Sequence, residues 1–388
     1  MLTKIRLALR NDLEASAEAR QFGSGWISGL LALVAAVASL LLLLSQRFPQ
    51  WFSMKELAPL HTQTDLTLVI HLLMVVAFVL AIGNLILRRN KVLGFSAISL
   101  VFSTLLIGQI ASPPSTYIAN GLALGLDWFV LNMLLTGILF IPLEKLFGRL
   151  TDQPLFRSEW REDLFYFLFS SILVQIISLL SLSPSMYILD NTSAWAGFRQ
   201  LVAAQPLLVQ VIEIMLLTDF VQYWFHRQFH EIPFLWRFHA VHHSAQKMDW
   251  LAGSRMHIVE IVGLRGLTVI PMFVLGFSKP ALSIYIFLVY LNATFVHANV
   301  RFNVEWLKPL IVTPRFHHWH HGIEKEAINV NYAIHFPWLD KLFGTYYMPP
   351  NLWPSGYGIG GHPVPKGYVN QFLYPFKKKK KKTPVKSQ

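Results

Sequence analysis

Long apolar runs constrain this chain more than any other feature of its sequence. Six of them are long enough to cross the roughly 30 Å hydrocarbon core of a bilayer as helices of about 20 residues. They cover approximately residues 27–45, 66–87, 92–111, 126–143, 164–183 and 206–225. Two shorter or interrupted runs, near 261–277 and 280–297, are consistent with a hairpin that does not fully span. The pattern predicts an all-α fold, a polytopic transmembrane helical bundle.

Composition agrees with a membrane location, because 54% of the residues are hydrophobic and only 14% are charged. The first run follows a polar stretch and lacks a small-residue cleavage site, so we expect a signal anchor rather than a removed signal peptide. The chain has no cysteine. This excludes a disulfide framework, thiolate metal sites and a cysteine nucleophile.

Basic residues in the short connections predict the orientation. They are dense in the N-terminal tail and in "RRNK" at 88–91, whereas the connection at 112–125 has no charge. We expect an integral, multi-pass protein of a bacterial inner membrane or the endoplasmic reticulum, with both termini cytoplasmic. Segments 226–257 and 298–388 would then face the cytoplasm, and they hold almost every histidine as a helical cap.

The chain divides into three predicted parts. Residues 1–120 form three plain transmembrane helices as an N-terminal extension, and 121–376 form the domain that carries the chemistry. Residues 377–388, "KKKKKKTPVKSQ", are a basic C-terminal tail that contributes much of the net charge of +12. Such a tail is either solvated or attracted to anionic lipid. Nucleic-acid binding is not expected, because the chain is membrane-embedded and its basic residues lack interleaved aromatics.

The first histidine cluster lies in "DFVQYWFHRQFHEIPFLWRFHAVHHS". Four polar residues at i, i+4, i+7 and i+11 share one helical stripe: Asp219, Tyr223, His226 and His230. Pro233 should end that helix. A second short helix would then carry three histidines on one face, namely His239, His242 and His243.

The second cluster is "TPRFHHWHHG" at 313–322. Thr313 fits an N-cap, Pro314 the first helical position and Gly322 the C-terminal cap, which predicts a helix of about two turns. On it His317, His320 and His321 share a face, while His318 points to the side.

The spacing of these histidines indicates metal binding. Neutral imidazole suits iron, zinc, copper or nickel, and several must converge to hold an ion. These histidines form three boxes, which are His226 and His230, then His239, His242 and His243, then His317, His320 and His321. The eight exceed the four that one ion needs, so two ions are implied. Solvent-exposed histidines could explain one cluster, but hardly three with matching helical spacing.

At these boxes the chain resembles the fatty acid hydroxylase and sterol desaturase superfamily of membrane di-iron, histidine-box oxygenases. Further matching stretches are "NATFVHANV" and "NYAIHFPWLDKLFGTYY". The resemblance implies two iron ions, O2 as co-substrate, and a lipid substrate. By the resemblance, the metal ligands are the eight box histidines. His297 lies where similar proteins have an additional histidine, and it is either a further ligand or a supporting or packing residue. In "RMHIVE", Ile258 stands where such proteins often have proline, so His257 is a weaker candidate, as a ligand or a supporting residue.

Other residues are candidates for support around the ligands. Asp219 and Tyr223 could orient imidazoles by hydrogen bonds or simply pack and pair with neighbours, and Asn331 could brace the third box. No cytochrome b5 module is present, since "GGHP" at 360–363 lacks its haem-binding order. Electrons would therefore come from a separate electron-transfer protein.

The expected reaction is O2-dependent hydroxylation of a fatty acyl, alkyl or sterol-like C–H bond, with desaturation on the same site as the alternative. A metal transporter should place its ligands near the bilayer midplane, whereas these lie at the membrane edge. A zinc metalloprotease would need H-E-x-x-H, which does not occur. A metal-binding membrane scaffold without turnover stays open.

Overall fold

The computed structural model describes residues 2–16, 18–54, 57, 66–109, 126–190, 195–302, 306–361 and 363–377. Within these ranges the chain is helical, and β-structure is limited to two isolated bridges, Gly148 with Val300 and Gly322 with Tyr357. The prediction of an all-α fold is confirmed. In chain order the α-helices are α1 Leu2–Leu13, α2 Trp26–Arg47, α3 Pro49–Phe52, α4 Leu66–Leu87, α5 Val92–Gln109, α6 Leu126–Phe147, α7 Trp160–Ile172, α8 Val174–Asp190, α9 Ala196–Ala203, α10 Leu207–Glu231, α11 Pro233–His243, α12 Ile258–Leu275, α13 Lys279–His297, α14 Pro314–His320, α15 Trp338–Leu342 and α16 Tyr368–Leu373.

Six helices of the described ranges are long and apolar enough to cross a membrane: α2, α4, α6, α10, α12 and α13. The shorter apolar helix α5 and the bent pair α7–α8 accompany them. A chain with this many apolar helices of spanning length is a multi-pass membrane protein. The basic tail from 378 onward lies outside the described residues, as do 110–125.

Three of the predicted runs differ in detail from the structure. The run at 164–183 is not one straight helix, because the chain breaks at Leu173 and the two pieces are bent by 53°. The last two runs are longer than expected, since α12 has 18 residues and α13 has 19. They are joined by a short turn in which Gly276 has a φ of 82°, a left-handed conformation that favours glycine.

The chain divides into two compact units. The first comprises Met1–Trp160, Phe167–Leu179 and Asn299–Arg301. In it α2 packs against α4 and α5. Asn84 of α4 donates a hydrogen bond to the Gly25 carbonyl (2.8 Å) and accepts one from the Gly94 amide (3.0 Å). A single buried amide therefore joins the starts of α2 and α5 to α4.

The second unit comprises Arg161–Tyr166, Leu180–Ala298 and Phe302–Gln388. Its central helix is α10, which packs against α11, α12 and α13. With 25 residues, α10 is about 37 Å long and exceeds the hydrocarbon core. Ile232 is extended and Pro233 begins α11, as the sequence predicts. The surplus length carries the first histidines beyond the apolar part of the helix.

Candidate metal centre

The nine histidines predicted as ligands lie in two groups within the second unit. In each group the nitrogens that could bind a metal all lie within 4.8 Å of one another. The five-histidine group contains His226, His230, His239, His243 and His320. The four-histidine group contains His242, His297, His317 and His321.

Neighbouring histidines of one helix belong to different groups. On α11, His242 belongs to the four-histidine group and His243 to the five-histidine group. At the end of α14, His320 and the cap residue His321 divide in the same way. Consecutive residues of a helix point about 100° apart, so each short helix can serve two adjacent sites. The two groups therefore share their supporting helices.

Local sequence explains how α14 is held. The Thr313 side chain accepts a hydrogen bond from the Phe316 amide and caps the helix, as predicted. The helix ends at His320, and His321 is the C-terminal cap residue. Gly322 follows without a left-handed φ, contrary to the predicted glycine cap. A Cβ at Gly322 would lie 2.9 Å from the Ala327 Cβ, so close packing explains the glycine.

Hydrogen bonds of the five-histidine group leave the Nε2 atoms available. His226 and His320 each place Nδ1 2.8 Å from a backbone carbonyl, of Tyr332 and Val330 respectively. A carbonyl only accepts, so Nδ1 carries the proton and Nε2 keeps its lone pair. The Nε2 of His243 nevertheless lies 3.1 Å from the Nε2 of His320. Lone pairs that converge in this way fit a bound cation.

The four-histidine group follows the same rule. His242 donates from Nδ1 to the Arg255 carbonyl (3.0 Å), and His297 donates from Nδ1 to the Ala293 carbonyl (2.7 Å). Their Nε2 atoms lie 3.3 Å apart, and the Nε2 of His317 lies 3.0 Å from that of His297. Such nitrogens cannot hydrogen-bond to each other when both lack the proton. The donor set of this group also fits a metal ion.

Burial keeps these imidazoles neutral. Desolvation lowers the pKa of the six ligand candidates outside the spanning helices well below the usual value, and neighbouring imidazoles lower it further. These residues are His239, His242, His243, His317, His320 and His321. Neutral imidazole is the form that coordinates metals. An all-nitrogen set of this kind suits iron, zinc, copper or nickel.

Glu260 is a site residue that the sequence analysis did not identify. Its Oε1 lies 2.5 Å from the Nδ1 of His239, and both side chains are buried. The Nδ1 atoms of four other ligand candidates face backbone carbonyls, and His230 hydrogen-bonds to the side chain of Asn329, so a carboxylate partner distinguishes His239. Glu260 is three residues after His257 in the first turn of α12. An acid at the start of an apolar helix beside a histidine was the available signal.

His257 lies outside both groups. Its Nδ1 accepts a hydrogen bond from the Val259 amide (3.2 Å) and caps α12. Its Nε2 lies 3.1 Å from the Phe372 carbonyl. With both ring nitrogens engaged, His257 holds the start of the helix that carries Glu260. His318 also lies outside the groups, with its Nδ1 2.7 Å from the Tyr357 hydroxyl.

Asp219 does not hydrogen-bond to an imidazole, contrary to one of the two expectations. Its carboxylate accepts from three consecutive backbone amides, of Ile334 (2.8 Å), His335 (3.2 Å) and Phe336 (2.7 Å). The reason is that α10 turns Asp219 toward the segment after the third box, where amides have no helical partner. Asp219 therefore positions the segment that follows Tyr332, whose carbonyl holds His226.

Tyr223 and Asn331 hold the same segment. The Tyr223 hydroxyl lies 2.8 Å from the Thr345 hydroxyl. Asn331 has a φ of 60° and donates to the carbonyls of Phe316 (3.0 Å) and Tyr347 (2.7 Å). Asparagine tolerates this left-handed conformation better than most residues. These contacts join Asn331 to α14 through the Phe316 carbonyl, and its role in bracing the third box stays a prediction.

Replacing Asp219 with alanine is expected to destabilise the protein by about 3 kcal/mol or more, since three amides lose a charged acceptor in a buried place. Thermal melting of the purified protein in detergent measures the effect. Glu231→Ala is the matched control, because its exposed pair with Arg227 is worth about 0.5 kcal/mol. Equal melting temperatures for the two variants would contradict the bracing role of Asp219.

Sequence comparisons agree with this geometry. The family model described as fatty acid hydroxylase matches residues 211–345, which include all nine histidines. Ornithine lipid hydroxylase OlsE of Rhizobium tropici is 32% identical over 180 residues, 46% of this chain and 53% of that protein. Alkylglycerol monooxygenase of Homo sapiens is 30% identical over 130 residues, 33% of this chain and 28% of that protein.

A third relative covers more of its own length. It is a Dictyostelium discoideum protein provisionally named methylsterol monooxygenase, 30% identical over 221 residues, 54% of this chain and 77% of that protein. By contrast, the chain spans about half of the ornithine lipid hydroxylase and about a quarter of the alkylglycerol monooxygenase. No solved structure matches the chain. With its histidine boxes inside the matched region, this chain belongs to the fatty acid hydroxylase family.

Proposed function

We propose that this chain is a membrane di-iron oxygenase that hydroxylates a lipid C–H bond with O2 as co-substrate. The lipid is a fatty acyl, alkyl or sterol-like chain dissolved in the membrane. The observation that carries the proposal is the pair of buried groups in which nine imidazole nitrogens converge. The relatives support the substrate class, because their names refer to lipid or sterol hydroxylases and monooxygenases.

In this proposal the five-histidine and four-histidine groups each hold one iron ion. Iron bound there would supply the activation of O2 for attack on a C–H bond. The protein orients the ligands and excludes water from the site. The carbonyls of Tyr332 and Val330 keep the proton of His226 and His320 on Nδ1 and fix the ring orientation. Burial of the histidines shields the reaction from solvent.

The location of the groups favours an enzyme over a transporter. His230 lies one residue before the end of α10, and His297 is the last residue of α13. A metal transporter needs ligands near the middle of the bilayer, whereas these ligands begin where the spanning helices end. Such a place suits a substrate that enters from the membrane.

We also propose an orientation in the membrane, a domain division and a source of electrons. Both termini and the histidine-bearing cap face the cytoplasm of a bacterium or the cytosolic side of the endoplasmic reticulum. Residues 1–120 form an extension in front of the catalytic domain at 121–376. Monooxygenation consumes two electrons besides those of the substrate, and a separate electron-transfer protein would deliver them.

Purified protein reconstituted with ferrous iron is expected to hold close to two iron atoms per chain, one for each group. Membrane lipids of the parent strain should then contain a species with one more oxygen atom than those of a deletion strain, measured by mass spectrometry. Purified protein loaded with zinc is the control for O2 consumption, because zinc has no redox chemistry and should support none. A loss of two hydrogens instead would identify a desaturase. If the protein held one metal ion or none and consumed no O2, it would be a membrane scaffold without turnover and not an oxygenase.

A further inference from the structure

A cavity of about 290 Å³ lies near the start of α10, whereas the histidines lie at the other end of that helix. Its walls come from α9, from the first half of α10, and from the end of α12 with the turn that follows it. Six of the eight lining residues are apolar, and the two polar ones are Gln205 and Glu213. Apolar walls with a few polar groups are typical of a site for an organic ligand.

Hydrogen bonds fix the walls of this cavity. Buried Gln210 of α10 donates from Nε2 to the Gln205 carbonyl (2.8 Å), and its Oε1 accepts from the Ser278 amide in the turn after α12 (2.9 Å). Arg199 of α9 donates from Nε to the Val274 carbonyl of α12 (3.2 Å). The three helices around the cavity are therefore tied to one another, and the cavity is preformed.

Glu213 places a carboxyl group inside an apolar spanning helix. It is the seventh residue of α10, about 9 Å from the helix start. Its hydrogen-bond partner within the described ranges is the Gln205 amide, whose Nε2 donates to its Oε1 (3.0 Å). No basic side chain of those ranges forms an ion pair with it. Ionisable groups inside spanning helices are costly and mark functional sites, and a neutral amide does not balance the charge of a carboxylate.

Both polar residues of the cavity offer hydrogen-bond acceptors. An ionised carboxylate only accepts. The Gln205 Nε2 is used by Glu213, while the Gln205 Oε1 is buried and has no hydrogen-bond partner among the described residues. A matching ligand must therefore donate hydrogen bonds and carry a positive charge. A primary ammonium group meets both needs, because it has three N–H donors and one unit of charge.

We propose that this cavity binds the primary ammonium group of an amino lipid. Glu213 pairs with the ammonium, and the apolar walls contact the part of the lipid next to it. Phe198 and Leu201 of α9 line the cavity and are also exposed on the surface of the chain. They give the hydrocarbon part of the lipid an apolar surface that continues into the bilayer.

The amino-lipid site is separate from the histidine groups. Glu213 precedes His226 by 13 residues of one helix, which corresponds to about 20 Å. No lining residue of the cavity belongs to either histidine group. The inference therefore goes beyond the proposed function and does not depend on it.

Lipid retention tests the proposal. The full-length chain is placed in phosphatidylglycerol nanodiscs that contain equal traces of phosphatidylethanolamine and phosphatidylcholine with the same acyl chains, and bound lipid is counted by native mass spectrometry. The two lipids have equal charge, and only the ethanolamine nitrogen has N–H donors. We expect phosphatidylethanolamine to be retained about tenfold or more in preference, the usual effect of a hydrogen bond to a charged group. Glu213→Gln should bring this preference close to one.

Glu231→Gln is the matched control. It removes the same charge from an exposed position at the other end of α10, and it should leave the preference unchanged. Leu217→Trp keeps Glu213 but fills part of the cavity, so it should also reduce retention of phosphatidylethanolamine. Equal retention of the two lipids by the original chain, an unchanged preference in Glu213→Gln, or an equal loss in Glu231→Gln would overturn the proposal.

Two further measurements keep the proposals separate. Melting temperature shows whether each variant folds, and Leu217→Trp replaces Glu213→Gln if the latter does not. Iron content should stay unchanged in both variants, because neither residue belongs to a histidine group. A preference that depends on Glu213 would support the amino-lipid site even if the chain proves not to be an oxygenase. An active oxygenase that retains both lipids equally would refute this site alone.

Discussion

Replacing His242 with alanine is expected to remove about one of the two bound iron ions and to abolish lipid oxidation. His242 belongs to the four-histidine group, so its loss leaves three imidazoles there while the five-histidine group keeps all of its members. Removing a group that hydrogen-bonds to a metal ligand lowers metal affinity or activity by about 10–100-fold. Removing a ligand itself should lower them by more. Elemental analysis and product formation after iron reconstitution measure both effects.

The two groups are expected to respond unequally. His320→Ala leaves four imidazoles in its group, as many as one ion commonly needs, so it should lose less metal than His242→Ala. His318→Asn is the control on the same helix, because His318 contacts Tyr357 and belongs to neither group. If His242→Ala and His320→Ala both kept two iron ions and full activity, the histidine groups would not be the metal site.

Replacing Glu260 with alanine is expected to weaken metal binding in the five-histidine group by about 10–100-fold, the usual cost of losing a carboxylate behind a histidine ligand. The carboxylate fixes the proton of His239 on Nδ1 and makes its Nε2 a stronger donor. Titration with a chelator measures retention, and a Mössbauer spectrum of ⁵⁷Fe-loaded protein shows which of two iron signals is lost.

Glu260→Gln separates charge from geometry. Its amide oxygen can still accept the hydrogen bond from His239, so the iron content should stay near that of the original chain while the signal of one iron shifts. Glu231→Gln is the control, because this acid is exposed and pairs with Arg227. Full metal retention in Glu260→Ala with unchanged spectra would show that the carboxylate has no part in metal binding.

The parts of the fold and the site that depend on short-range spacing could be predicted from the sequence. Apolar runs predict the spanning helices because about 20 residues are needed to cross the hydrocarbon core. Histidines at i, i+3 and i+4 share a helix face whatever the rest of the chain does. For this reason the eight box histidines could be proposed as ligands from spacing, and the family resemblance added His297, although the division of the nine into groups could not be predicted.

Features that depend on distant contacts could not be predicted. No proline or glycine lies at the break after Ile172, so the sequence contains no signal for the bend. The pairing of Glu260 with His239 and of Asp163 with Arg255 joins residues of different segments. Whether Asp219 would contact an imidazole or another neighbour could not be predicted, because helical spacing shows which face a residue occupies but not which loop covers that face.

The division of adjacent histidines between groups has a consequence for biosynthesis. All members of the five-histidine group except His320 are present once the chain has been made as far as α11. The four-histidine group then has only His242, gains His297 with α13, and is complete only when His317 and His321 emerge on α14. Both groups are therefore completed only when the α14 segment is made, and a chain that stops before α14 holds four of the five histidines of one group and only half of the other.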